Sequence, residues 1–244
     1  MNINNYKILI SNLPVRQQCF TTKRTTWTKA ENEIHWLKNL NDKLFGDNKT
    51  LTISRQDIFE TNEPRKAIIK TIYWGYTAGM RGNHFINILK HIDTIENVLR
   101  SSREKPNPAT KDFNELTLTF RNVAGLGLST YSKLLYFFKI SFNDNPCLIL
   151  DQRLIDVFAS KTYSNFQLLD KIRYDNAEKK YLDFLQLTRR IAIDLETQGE
   201  NIELFLFTFG NNLKTIKMTE TKISNMWNGY CPESLLKGKT VRMR

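Results

Sequence analysis

The chain has 244 residues, of which 41% are hydrophobic, so it can bury a core in one large domain or two small ones. No stretch approaches the roughly 20 continuous apolar residues of a membrane span, and the N-terminus lacks the pattern of a secretory signal. We therefore expect a soluble, cytoplasmic protein without a membrane partner. A net charge of +11 favours polyanionic partners, although charge alone does not establish nucleic-acid binding.

The cysteines and histidines show no metal-binding pattern. The three cysteines are widely separated, which argues against a disulfide framework, a structural zinc site and a four-cysteine iron–sulfur cluster. The histidine spacing matches no HExxH ligand pair. We expect no catalytic metal and no cofactor. These residues are Cys19, Cys147, Cys231, His35, His84 and His91.

Breaks along the chain occur at intervals typical of helices, and few runs alternate as strands do, so the predicted fold class is all-α, a two-lobed helical bundle. Residues 6–13 are predicted to form a short strand or an extended arm. Residues 26–45 have helical apolar spacing, with Thr28 and Glu31 as a capping box. Pro64 is suited to the first turn of a second helix, which leads to a glycine-rich segment at 77–83 and an amphipathic helix at 84–100.

The second half of the chain follows a polar segment with two prolines at 101–110, which we predict to be a loop and a hinge between two lobes. Further helices are predicted at about 111–123, 130–140, 152–160, 177–197 and 200–209.

Three regions are expected from this organisation. Residues 1–60 form an N-terminal arm and helix, residues 61–210 form the main helical domain, and residues 211–244 form a C-terminal helix and basic tail.

Residues 112–138 show an amphipathic helix, a tight Gly-Leu-Gly turn and a second, apolar helix, which is the pattern of a helix-hairpin-helix motif. Glycines permit positive φ and a close approach of phosphate, and amides at a helix start bind anions. Leu126 is expected to anchor the turn in the core, and Ser129 to cap the second helix. An ordinary αα-corner is the alternative. The residues predicted to bind DNA are Gly125, Leu126, Gly127, Ser129 and Arg153.

Lys133 is the one charged residue in the apolar segment 123–137, and Asp151 follows the apolar run 146–150. A lysine that attacks a sugar carbon must be neutral, and an apolar helix disfavours the charged form, although a lysine with its amine in water would have the same neighbours. Asp151 is predicted to cap the next helix. The same carboxylate could stabilise a developing positive charge or accept a proton from the lysine.

These segments resemble the helix-hairpin-helix DNA glycosylase superfamily, and more closely the bacterial proteins with an 8-oxoguanine DNA glycosylase fold. The resemblance covers roughly residues 65–210. The segments that carry it are WGYTAGMRGN (74–83), GLGLSTYSKLLYF (125–137), LILDQRL (148–154) and ENIELFLF (200–207).

The resemblance also implies a departure in the position of the catalytic lysine. In the better-known 8-oxoguanine glycosylases this lysine stands where Ser129 stands here, whereas Lys133 lies one helical turn later on the same face. A displaced lysine of this kind is similar to the archaeal type of 8-oxoguanine glycosylase.

The function implied is a DNA glycosylase with AP-lyase activity, which flips a modified base out of the duplex and attacks C1′ with Lys133, assisted by Asp151. 8-Oxoguanine is the first expected target, and double-stranded DNA with a damaged or modified base is the expected partner. Core packing is the alternative role for each predicted base-pocket residue. Those residues are Trp74, Tyr76, Asn83 and Phe205.

Three other functions fit the same sequence: a glycosylase for another modified base, a non-catalytic helix-hairpin-helix component of a multi-protein repair or defence system, and a structural helical protein with a basic surface. The first two bind duplex DNA, and the third does not.

Overall fold

A computed structural model describes residues 1–213, and this part of the chain is mainly helical, in agreement with the predicted class. Residues Met1–Asn212 form one compact unit. Within the described residues, no helix combines the length and the apolar character needed to cross a membrane. The predicted basic tail lies, from residue 214 onward, outside the described residues. The boundary at residue 60 and the hinge between two lobes stay predictions.

The helices and strands follow in chain order. The α-helices are α1 (Lys7–Ser11), α2 (Thr28–Glu33), α3 (His35–Phe45), α4 (Arg55–Phe59), α5 (Pro64–Gly75), α6 (His84–Lys90), α7 (Ile92–Glu104), α8 (Thr110–Arg121), α9 (Leu128–Phe137), α10 (Gln152–Ala159), α11 (Tyr181–Asp194) and α12 (Gly199–Phe209). The strands are β1 (Cys19–Lys23), β2 (Thr50–Ser54), β3 (Ser141–Phe142) and β4 (Asn145–Pro146).

The first 60 residues differ most from expectation. The segment predicted as a strand or arm is helical: it contains α1, which packs against α12 and accepts a hydrogen bond at Ile10 O from the side chain of Asn201. The helix predicted at 26–45 is broken at Ile34, which has extended backbone angles. Thr28 and Glu31 form no capping box, because Thr28 already lies within α2 and Trp27 holds the N-cap position. The Glu31 carboxylate instead accepts a hydrogen bond from Asn41.

Strands β1 and β2 pair antiparallel, with Cys19 opposite Ser54, and this pair packs on α5. The strand pair was not predicted, since its two short strands are far apart in sequence and neither has a hairpin turn signal. Strand β2 ends at Ser54, so Arg55 directly follows it as the first residue of α4. Ser54 and Asp57 form a capping box there, which fixes the direction in which α4 begins.

The later helices agree better with the sequence. Pro64 does begin α5, and the five helices predicted after residue 110 appear as α8 to α12, with ends that differ by a few residues. The helix predicted at 84–100 is interrupted at His91, which separates α6 from α7. Helix α7 then continues to Glu104, so only the second half of the predicted 101–110 loop is non-helical.

Helix α9 forms the centre of the core. It packs against α5 and α4, and all of its residues except Ser129 are buried, including Lys133. The continuous apolar character of this segment therefore reflects a helix that is covered on all sides.

Candidate active site in a buried cavity

The Gly-Leu-Gly turn (residues 125–127) connects α8 to α9. Leu126 is buried, as predicted, and its amide donates to Val123 O at 3.0 Å. Gly125 has φ +93°, and a Cβ added there would lie 2.4 Å from the Cβ of His84. Gly127 has extended backbone angles (φ −76°, ψ 175°). The need for positive φ therefore applies to Gly125 alone, and not to both glycines as the sequence suggested.

The start of α9 also differs from the prediction for Ser129. Gly127 occupies the N-cap position, and its carbonyl accepts hydrogen bonds from the amides of Thr130 and Tyr131. The predicted capping role of Ser129 is therefore wrong, because Ser129 already lies within the helix. Its side chain instead lies near the amine of Lys133.

Lys133 points inward. Its side chain is 4% exposed, and its Nζ donates to Ser129 O at 2.7 Å and lies 3.2 Å from Ser129 Oγ. The aliphatic stem passes Gly75, where an added Cβ would lie 2.8 Å from the Cδ of Lys133. The ring of Tyr76 lies on another side, with its centroid 5.4 Å from Nζ. The amine is thus held inside the protein and does not extend into solvent.

Asp151 lies beside the same helix. It caps α10, as predicted, with its side chain accepting a hydrogen bond from the amide of Leu154 at 3.2 Å. The extended segment before it is tied to α9, because Ser132 Oγ accepts from the amide of Leu150 at 3.2 Å. Since Ser132 and Leu150 are the sequence neighbours of Lys133 and Asp151, this bond brings the two predicted catalytic residues to one place.

Lys133 and Asp151 line a cavity of about 160 Å³. Its wall is drawn from β1, α4, α5, α9, the segment before α10, and α12, so it exists only in the folded chain. Trp74, which the sequence analysis named for the base pocket, is part of the wall. The lining residues are Phe20, Arg55, Trp74, Gly75, Thr77, Lys133, Ile149, Asp151, Glu203 and Phe207.

The other predicted site residues lie outside this wall. Tyr76 is next to it, with its hydroxyl 2.7 Å from Thr130 Oγ1. Asn83 is exposed and accepts a hydrogen bond from Lys29. The guanidinium of Arg153, an exposed residue, lies 4.7 Å from the ring centroid of Phe207, which places it beside the cavity.

Phe205 is not in the cavity either. It is fully buried and packs against the ring of Tyr6, with centroids 5.2 Å apart. A shift of two positions turns a side chain about 200° around a helix, so Phe205 faces away from Phe207. Glu203 and Phe207 are four residues apart and share the face of α12 that meets the cavity.

A buried ion pair that the sequence analysis missed completes the cavity. Arg55 is 0% exposed and Glu203 is 1% exposed, and Arg55 Nη1 donates to Glu203 Oε2 at 2.8 Å. Arg55 Nε also donates to Gln18 Oε1 at 2.6 Å, and its guanidinium lies 5.3 Å from the ring centroid of Trp74. Because Arg55 follows β2 and Gln18 precedes β1, the strand pair positions both residues.

The charges of the pair depend on each other. Burial disfavours the charged form of Arg55, but the attraction of Glu203, together with its hydrogen bond and the effect of the neighbouring Tyr136, outweighs burial and raises the pKa of Arg55. Burial is also the largest influence on Glu203 and raises its pKa, while Arg55 opposes this shift. Arginine stays protonated in proteins, and the charge and hydrogen bond of Arg55 favour the ionised form of Glu203 against the effect of burial.

Two atoms of the pair have no hydrogen-bond partner within residues 1–213, namely Arg55 Nη2 and Glu203 Oε1. Buried polar groups of folded proteins nearly always have a partner, so each exception requires an explanation. Both residues line the cavity.

A second, larger cleft of about 710 Å³ lies elsewhere in the described part of the chain. Its lining includes Arg16, Lys139, Arg189 and Glu200 but neither predicted catalytic residue. The smaller cavity is therefore the candidate active site, because it holds the chemically capable groups. Among residues 1–213, no group of three or more His, Cys, Asp or Glu side chains is placed to hold a metal ion.

Comparison with known protein families shows which family the chain belongs to. The model of the family described as "Putative 8-oxoguanine DNA glycosylase OGG-like protein" matches residues 13–207. The chain belongs to this OGG-like family. The match includes every residue that lines the cavity, and it confirms the predicted likeness to 8-oxoguanine glycosylases at the level of the family. No curated protein and no solved structure gives a significant match. Membership of the helix-hairpin-helix superfamily and a bacterial origin stay predictions.

Proposed function

We propose that this OGG-like protein is a DNA glycosylase with AP-lyase activity, and that 8-oxoguanine in duplex DNA is its first target. The observation that carries the proposal is that Lys133, a buried lysine, shares a small cavity with Asp151. Membership of the OGG-like family supports the glycosylase class.

In the proposed reaction the neutral amine of Lys133 attacks C1′ of the flipped nucleotide. The Nζ–C1′ bond forms as the glycosidic bond breaks, and the base leaves with the bonding electron pair and takes up a proton. The bonded amine gives up one proton, the C1′–O4′ bond breaks as O4′ takes up a proton, and the open sugar is joined to Nζ as a protonated Schiff base. Loss of a C2′ proton then expels the 3′ phosphate by β-elimination, and water releases Lys133.

The contacts of Lys133 suit this step. Ser129 O accepts a hydrogen bond from Nζ, and the packing of the stem against Gly75 restricts the side chain to a few conformations. An amine held in one place loses little conformational freedom when it attacks, which favours the reaction.

Asp151 is the proposed electrostatic partner. Its carboxylate can stabilise the positive charge that develops on the sugar as the base leaves, or accept the proton that Lys133 gives up. The hydrogen bond from the amide of Leu154 fixes the carboxylate at the start of α10 without consuming its second oxygen.

The cavity wall suits a single base. At about 160 Å³ the cavity is smaller than the clefts of roughly 300–1,000 Å³ that hold drug-sized ligands. Three aromatic side chains contribute to its wall, Phe20, Trp74 and Phe207, and the stacking of a base on an aromatic ring contributes about 1–3 kcal/mol. These residues, with Tyr76 nearby, are the proposed base pocket.

The proposed DNA contacts lie at the start of α9 and beside the cavity. The backbone amides that follow Gly127 lie at the N-terminus of α9, where a phosphate can bind. Ser129 is partly exposed there. Arg153 is exposed beside Phe207 and is suited to a backbone phosphate near the flipped nucleotide. The net charge of +11 favours the same partner.

The test is a base-release and strand-nicking assay on duplexes that contain 8-oxoguanine, with an undamaged duplex as the blank. We expect free 8-oxoguanine and a nicked strand from the wild-type protein, and neither from Lys133→Met. Lys139→Met is the matched control, because Lys139 lines the larger cleft instead of the cavity. It should release base at the wild-type rate.

The remaining alternatives predict different results in the same assay. Release of another modified base, but not of 8-oxoguanine, would keep the glycosylase and change its target. Salt-sensitive duplex binding that survives Lys133→Met, with no base released from any duplex, would favour a non-catalytic DNA-binding component.

A further inference from the structure

Arg55 and Glu203, which both line the proposed base pocket, leave one donor and one acceptor without hydrogen-bond partners among residues 1–213. The two side chains are essentially inaccessible, and the unpartnered atoms are Arg55 Nη2 and Glu203 Oε1, as judged over residues 1–213. An unsatisfied buried polar atom destabilises the folded protein, and two of them in adjacent side chains are difficult to explain by packing. A ligand that supplies an acceptor next to a donor would satisfy both.

We infer, on the basis of the proposed glycosylase function, that Arg55 and Glu203 bind the O6 and N1–H edge of a guanine-type base and so select the substrate. Arg55 donates from Nη2 to O6. Glu203 accepts at Oε1 from N1–H, and the 2-amino group lies on the same side of the base.

The chemistry of the two side chains fixes this polarity. Arginine can only donate, so the ligand atom opposite Nη2 must be an acceptor. An ionised carboxylate can only accept, so the atom opposite Oε1 must carry a proton. Arginine paired with a guanine oxygen is the commonest base-specific contact of proteins with DNA, and the carboxylate adds the complementary contact.

Adenine derivatives reverse this pattern when held in the same pose. The 6-amino group would face the guanidinium, where two donors meet, and N1 would face the carboxylate, where two acceptors meet. A site built from hydrogen-bonding groups strongly disfavours a ligand that leaves those groups unpaired.

The pair lies close to the proposed chemistry. Arg55 and Glu203 line the same cavity of about 160 Å³ as Lys133 and Asp151. In the proposed pose the pair holds one edge of the base, and the sugar lies toward Lys133. Arg55 would also stabilise the negative charge that a departing guanine-type base carries on O6.

A purely structural role, in which the ion pair holds α4 to α12, is the competing explanation. An abasic duplex separates the two. It contains no base for the pair to bind, but its sugar still forms a Schiff base with Lys133 that borohydride traps. Loss of base selection lowers excision alone, whereas loss of structure lowers excision and trapping together.

The experiment compares Glu203→Gln and Arg55→Lys with the wild-type protein on three duplexes, carrying 8-oxoguanine, 8-oxoadenine or an abasic site. We expect wild-type kcat/KM for 8-oxoguanine to exceed that for 8-oxoadenine by about 10- to 100-fold, and each variant to lose most of this preference. Trapping on the abasic duplex should stay within about twofold of wild type.

The matched control is the second arginine–glutamate pair of α12. Arg16 and Glu200 form an ion pair at 3.3 Å that lines the larger cleft, and Glu200 lies three residues before Glu203. Glu200→Gln should keep the wild-type preference. If single variants of the cavity pair do not fold, the double variant Arg55→Met with Glu203→Leu removes both charges together, and it should trap the abasic site without selecting guanine.

The outcomes distinguish this inference from the function on which it rests. Equal rates on the two oxidised purines with the wild-type protein, or equal losses of excision and trapping in the variants, would overturn the role of the pair while the glycosylase stands. No excision and no trapping with the wild-type protein would overturn the proposed function, and this inference with it.

Discussion

Two buried basic side chains border one cavity in this protein, and they are held in opposite ways. The amine of Lys133 forms hydrogen bonds with the backbone carbonyl and the hydroxyl of Ser129, four residues earlier on its own helix. Arg55 is bonded to the carboxylate of Glu203, which is 148 positions away in sequence. Among residues 1–213, Lys133 has no ion-pair partner within bonding distance, whereas Arg55 has one that is equally buried.

The different partners of Lys133 and Arg55 suit the two residues to different functions. An arginine in a protein stays charged, so a buried one needs a counterion and gives a permanent donor. A lysine amine can lose its proton and become a nucleophile. The arrangement therefore suits recognition at Arg55 and covalent chemistry at Lys133.

The largest expected effect comes from the loss of the Lys133 amine. Lys133→Met should lower single-turnover base release with nicking by about 10³-fold or more, because the nucleophile is lost. The melting temperature should hardly change, since the amine bonds only to its own helix. A variant that nicks at the wild-type rate would remove Lys133 from the chemistry and end the comparison.

Substitution of Arg55 should mainly lower the free energy of unfolding. Arg55→Met leaves the Glu203 carboxylate buried without its counterion, and we expect it to lower the free energy of unfolding by about 3–5 kcal/mol. Chemical denaturation measures this change. Arg55→Met combined with Glu203→Leu should be clearly more stable than Arg55→Met alone. Equal stability of the single and double variants would show that the pair is not coupled.

Asp151 sharpens the comparison, because its charge and its capping role can be separated. Asp151→Asn keeps an N-cap side chain of nearly equal strength, so unfolding should change by less than about 1 kcal/mol. The rate of base release should fall by about 10²–10³-fold, because the charge that stabilises the transition state is lost. An unchanged rate would leave Asp151 with its capping role alone.

The smallest effect concerns the turn that begins the helix of Lys133. Gly125→Ala should destabilise the protein by about 1–3 kcal/mol, because φ +93° disfavours a side chain and the new Cβ would meet His84. Gly127→Ala is the control: its φ is ordinary, and the nearest atom to an added Cβ is the hydroxyl of Tyr174 at 3.4 Å. The melting temperature of Gly127→Ala should be close to that of the wild-type protein. An equal fall in melting temperature for both glycine variants would contradict this account of the turn.

The lysine half of the cavity could be predicted from sequence because its signals are local. Lys133 is a lone charge in an apolar helix, and Asp151 follows an apolar run at a helix start. The five helices after residue 110 were predicted for the same reason, since apolar periodicity and breaks mark them within short windows.

The arginine half could not be predicted, because Arg55 begins a short polar helix and resembles any surface arginine. Its burial depends on the strand pair and on α12, which meet it only in the folded chain. Glu203 did carry a signal: it is a lone carboxylate within the apolar run 202–207, the same pattern that identified Lys133. The sequence analysis named Phe205 for the base pocket, whereas Phe207 lines the cavity, because sequence does not show which face of α12 meets it.

The most direct test of the central claim is to trap the protein with borohydride on a duplex containing 8-oxoguanine and to map the modified peptide by mass spectrometry. Our account predicts one adduct, dependent on the lesion, on the peptide that contains Lys133. An adduct on another lysine or on the N-terminal amine, with Lys133 unmodified, would contradict it.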